Sequence, residues 1–67
     1  MAAMSSSAAE LSSLATALDE LSKRVTSIAE TYAASRRDDL ATELYQVERA
    51  LNGARRGLGR VLDNQAR

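Results

Sequence analysis

The carboxylates Asp19, Glu20, Glu30, Asp38, Asp39, Glu43 and Glu48 are the side chains that could do acid–base or metal chemistry in this 67-residue chain. Such chemistry needs carboxylates paired across facing elements, as in helical bundles whose inward Glu residues hold two metal ions. None of the seven falls at an inward position of the helical pattern derived below. Asp38 and Asp39 lie in a polar segment where helix capping accounts for them. Glu20 and Arg24 have the spacing of a helix-surface ion pair, worth about 0.2–0.5 kcal/mol. The chain has no Cys and no His. That excludes Cys/His zinc sites, thiolate nucleophiles, a Ser-His-Asp triad and disulfides. No catalytic, metal-ligating or cofactor-binding residue is expected, and neither is an enzyme.

The basic residues pose a different question. Arg49, Arg56, Arg60 and Arg67 recur at steps of seven, four and seven residues, with Arg55 beside them. On a persistent helix they form one stripe. It could meet phosphates, acidic headgroups or an acidic protein surface, or serve as a solvated face near a helix C-terminus. No aromatic residue interleaves, so base stacking is not expected. Gly53-Ala54-Arg55-Arg56-Gly57-Leu58-Gly59 lacks the Gly-Lys-Ser/Thr ending of a phosphate-binding loop and follows no strand. Gly53 and Gly57 could instead admit a close helix, or fray the end. Tyr32 and Tyr45 are the only aromatics. Tyr32 continues an apolar series, whereas Tyr45 stands off it and could anchor a partner or pack on a second copy.

These groups must be held by something, and the apolar spacing says what. Leu11, Leu14, Leu18, Leu21, Val25, Ile28 and Tyr32 follow one another at alternating steps of three and four. A strand shows alternate residues on one face, so it cannot use this pattern. A helix gathers it into one heptad stripe that must find a partner. After Tyr32 the pattern stops at the polar segment Ala33–Asp39. It restarts out of phase at Leu40 and runs through Leu44, Val47, Leu51, Ala54, Leu58 and Val61.

The expectation is an all-α chain: a two-helix antiparallel coiled-coil hairpin that dimerises into a four-helix bundle. Residues 1–6 read as a disordered tail, with Ser7 and Glu10 as a capping box. The domain is 7–67, with helices over about 8–34 and 40–64 and a turn over about 35–39. The second helix is expected to be weak at 53–59, because each Gly costs about 1 kcal/mol against Ala. Folding about Arg36 brings Ile28 opposite Leu44, Val25 opposite Val47, Leu21 opposite Leu51, Leu14 opposite Leu58 and Leu11 opposite Val61. Small residues beside the first seam (Ala15, Ala17, Ser22, Ala29, Thr31) let helices approach closely. No Gly or Pro forces the bend, so the alternative is one continuous helix in a parallel dimer.

Net charge is zero, which argues against wholesale binding of nucleic acid or anionic membrane. No apolar run is long enough for a membrane span, and the first residues lack a signal-peptide pattern. A cytoplasmic setting is expected. High Arg and Ala content suggests a bacterial source. The function expected is a non-catalytic helical interaction module: an adaptor, scaffold or regulatory subunit. It would self-associate through Leu11, Leu14, Leu18, Leu21, Val25, Ile28, Leu44, Val47, Leu51 and Leu58, or use a helical partner. The alternative is a nucleic-acid or anionic-surface regulator using Arg49, Arg55, Arg56 and Arg60.

Overall fold

In the computed structural model the chain forms two helices, α1 (Ala2–Ala34) and α2 (Asp38–Ala66), packed against each other along their length. The structure describes the backbone of residues 2–66 and the side chains of 7–65; Met1 and Arg67 lie outside the described residues. No strand occurs among the described residues. The hairpin measures 53 × 15 × 11 Å.

The bend is made without Gly or Pro. Arg36 takes a left-handed conformation, φ 63°. The Arg37 amide donates to the Tyr32 carbonyl at 2.8 Å, and the Arg36 amide to the Ala33 carbonyl at 3.2 Å. Those two bonds around a left-handed residue form a Schellman motif, which satisfies carbonyls that α1 leaves unpaired at its end. Arg37 stands just before α2, its carbonyl accepting from the Ala41 amide at 3.0 Å. The turn is therefore Ser35–Arg37, shorter than the expected 35–39. Asp38 and Asp39 belong to the first turn of α2, where negative charge suits the helix dipole. The Arg37 guanidinium bonds both Asp39 oxygens at 3.4 Å. That bond, and next the Leu40 backbone amide, hold the Asp39 carboxyl below the usual aspartate range.

Both helices are longer than expected. α1 begins at Ala2, so residues 2–6 are helical and Ser7 lies inside the helix rather than capping it. No Pro interrupts the Ala-rich start, and Ala is the best helix former. Exposed hydroxyls are absorbed locally: Thr16, Thr31 and Ser35 each donate to the carbonyl four residues back, which removes their pull toward other conformations. α2 runs unbroken through Gly53, Gly57 and Gly59 to Ala66. None of these glycines has positive φ, and a Cβ on each would meet only an Arg side chain or open space. Their cost to the helix is offset by packing on α1.

The register agrees with a fold about Arg36, since Ser22 reaches both Glu48 and Asn52. The facing sides do not agree with the expected layers. The fully buried residues are Ala29, Ala41 and Ser22, and no large side chain is fully buried among the described residues. Half-buried positions between them include Leu11, Ala15, Leu18, Val25 and Tyr32 on α1 and Leu44, Glu48, Leu51, Arg55, Leu58 and Leu62 on α2. The register thus puts Ala29 within one residue of Leu44, Ser22 of Leu51 and Ala15 of Leu58. α1 is turned so that the small-residue flank of its seam, Ala15, Ser22 and Ala29, closes against α2, which turns Ala41, Glu48 and Arg55 toward it. Leu14, Leu21, Ile28, Val47 and Val61, expected to meet across the hairpin, stay 44–51% exposed. Small side chains decide this, because they let the two backbones come close where Leu and Ile would hold them apart.

Candidate interaction surface

Turning the helices gives the hairpin two unlike flanks. On the open flank, Leu14, Leu21 and Ile28 of α1 run beside Val47 and Val61 of α2, all incompletely covered. In an antiparallel pair with both helices turned in the same sense, these two rows lie on the same side. Half-covered Leu40 and exposed Ala54 continue the α2 row. Full burial of such a side chain is worth ~1.5–3 kcal/mol, so each half-exposed one leaves about 1 kcal/mol to be gained by contact.

The closed flank is polar. The Ser22 hydroxyl lies 3.4 Å from Glu48 Oε2 and 3.3 Å from Asn52 Oδ1. It has one proton, so it donates to one of the two at a time. Asn52 Nδ2 donates to Glu48 Oε2. Nearby, Arg55 Nε lies 3.9 Å from Asp19 Oδ1. That is close enough for charge attraction and too far for a hydrogen bond. Arg55 Nε is itself enclosed without a hydrogen-bond partner. Asp19 is shared with Lys23 Nζ at 3.2 Å. Polar groups therefore tie α1 to α2 on this side.

The expected binding residues separate accordingly. Leu14, Leu21, Ile28 and Val47 stand on the open flank, whereas Leu11, Leu18, Val25, Leu44, Leu51 and Leu58 are half-buried between the helices. Tyr45 is half-buried on the closed side, near Ala41 and Glu48, away from the apolar rows. Arg49, Arg56 and Arg60 are exposed, and none forms an ion pair among the described residues. Arg55 departs from that stripe to face Asp19. Arg67 lies outside the described residues. The ion pair expected between Glu20 and Arg24 is not formed; Lys23 pairs with Asp19 instead.

Sequence reasoning assigned no role to Glu48 and Asn52 and placed no carboxylate at an inward position. Glu48 is half-buried between the helices. The available signal was the register itself, because folding about Arg36 brings Ser22 level with the turn of helix between Glu48 and Asn52. Among the described residues no group of acidic side chains could hold a metal ion. No helix among them is long and apolar enough to cross a membrane. Comparison with protein-family models, with curated proteins and with solved structures finds no match for this chain.

Proposed function

We propose that this chain is a non-catalytic helical interaction module, an adaptor, scaffold or regulatory subunit, that self-associates through the open flank into a four-helix bundle. One observation carries the reading. The only apolar side chains fully buried among the described residues are two alanines, while five large ones share an uncovered side. Two such hairpins, face to face, turn the open rows into a common core of the kind that stabilises helical bundles. The coiled-coil character of the seams and a bacterial, cytoplasmic setting belong to the same reading, on the strength of heptad spacing and Arg- and Ala-rich composition.

Light scattering on a size-exclusion column tests it. The expected result is a dimer at micromolar concentration, and a Leu21→Asp variant whose dimer is weakened more than 100-fold and whose helical circular dichroism falls. A wild-type chain that remains a fully helical monomer would refute self-association, and unchanged circular dichroism in the variant would refute the role of Leu21.

The exposed row Arg49, Arg56 and Arg60, without intrachain ion pairs, favours a second reading as a binder of phosphate-bearing surfaces. Affinity for duplex DNA that falls steeply with added salt supports it. Absence of binding at physiological salt removes it.

A further inference from the structure

The open flank also bears on how two copies meet. Resting on the self-association proposed above, we infer that its occupant is a second copy of this chain turned end for end. Each copy's bend then lies against the other's open end, with α1 beside α1 and α2 beside α2.

The length of the face points to an occupant of this size. The hairpin is 53 Å long, its open rows run along both helices, and a second copy spans the same length.

The charges beside the rows choose the orientation. Arg24 and Glu43 adjoin the apolar rows on α1 and α2; Glu20 and Arg60 sit one step further round. All four are exposed, and none is in an ion pair among the described residues. The seam on α1 runs from Leu11 to Tyr32 and that on α2 from Leu40 to Val61, so the middle of the face lies level with Leu21 and Ala50. An end-for-end two-fold axis there brings Glu43 within about two residues, roughly 3 Å along the helix, of Arg60 in the second copy. It also brings Glu20 level with Arg24 of the second copy. Each opposite-charge pair occurs twice. With both bends at the same end, Glu43 instead comes level with Ala29 and Glu20 with Asn52, so those two pairs are separated. Of the exposed charges beside the rows only Glu10 then comes near an opposite one, Arg60. Charge of this kind acts on orientation and partner choice more than on raw affinity. End-for-end docking also sets Ala50 of one α2 near Ala50 of the other, where a small side chain permits close approach.

The chain has no cysteine, so introduced thiols report the arrangement. Ala50 sits at the middle of the α2 rim. End-for-end docking predicts that Ala50→Cys couples to itself under mild oxidation of the dilute dimer, much faster than Thr16→Cys on the outer side of α1. Same-end docking predicts coupling only between Ala50→Cys and Arg24→Cys in a mixture of the two. Glu43→Arg and Arg60→Glu should each weaken the dimer roughly tenfold, and the double exchange should recover most of that loss. Self-coupling at Ala50 with recovery by the exchange supports the inference. A dimer by light scattering that couples only in the mixture, or not at all, overturns the arrangement and leaves self-association standing. A monomer that couples nowhere overturns both.

Discussion

The two flanks of the hairpin seam reverse the usual assignment of inside and outside. The flank closed within the chain is lined by Ala15, Ser22, Ala29 and Ala41 and crossed by the Ser22–Glu48–Asn52 and Asp19–Arg55 contacts. The flank left open holds Leu14, Leu21, Ile28, Val47 and Val61. Size sorts the first and hydrophobicity the second. Small side chains let α1 and α2 come close, and polar groups that pair across the gap lose little by being covered. Large apolar side chains are kept on the side where two more helices fit. A heptad stripe can thus do two jobs: one edge closes the chain and the other is left to assemble it.

The strongest way to break this contrast is to place a large residue on the closed flank. Ala29→Leu should destabilise the hairpin by about 1–3 kcal/mol through overpacking, read from urea unfolding. The same change at exposed Ala17 should be nearly neutral. Equal costs at the two sites would mean that size does not sort the flanks. Glycine replacement separates them next. Gly57→Ala and Gly59→Ala should each add about 1 kcal/mol of helix stability, since neither Cβ meets α1. Gly57 borders the open flank, so its gain should shrink when unfolding is measured at concentrations where the dimer forms, while that of Gly59 should persist.

Arg36→Gly should raise stability by about 0.5–1 kcal/mol, because Gly takes positive φ without the steric cost Arg bears. It touches neither flank, so dimer affinity should stay unchanged and light scattering provides the control. The smallest effect belongs to Asp39. Its carboxyl titrates lower in the folded chain than in the unfolded one. Its contribution is therefore present above the ordinary aspartate value and lost as pH falls through the depressed one. Asp39→Asn should flatten the decline in melting temperature on acidification slightly, and should do so equally in monomer and dimer.

Much of the fold was legible in the sequence. The three-four spacing from Leu11 to Tyr32 and its out-of-phase restart at Leu40 define two helices and a bend, and matching the seams gives the register about Arg36. The side of each stripe that closes was not legible. A stripe of Leu11, Leu14 and Leu18 is equally apolar toward either edge, and the deciding residues, Ala15, Ser22 and Ala29, carry no hydrophobic signal of their own. Glu48 and Asn52 looked like surface residues because their partner stands on the other helix. The helix ends were hidden for a related reason: nothing near Ala2 or Gly53 stops a helix once packing on a neighbour supports it. For the site, Leu14, Leu21, Ile28 and Val47 of the open flank were named in advance for self-association, but together with six residues that stand half-buried between the helices.

The left-handed turn at Arg36 has one more consequence. It is a single backbone state, held by two amide bonds, with no ring or missing side chain to enforce it. Two chains that unhinge there can lay each long helix along the other's halves and rebuild the same neighbours by exchange.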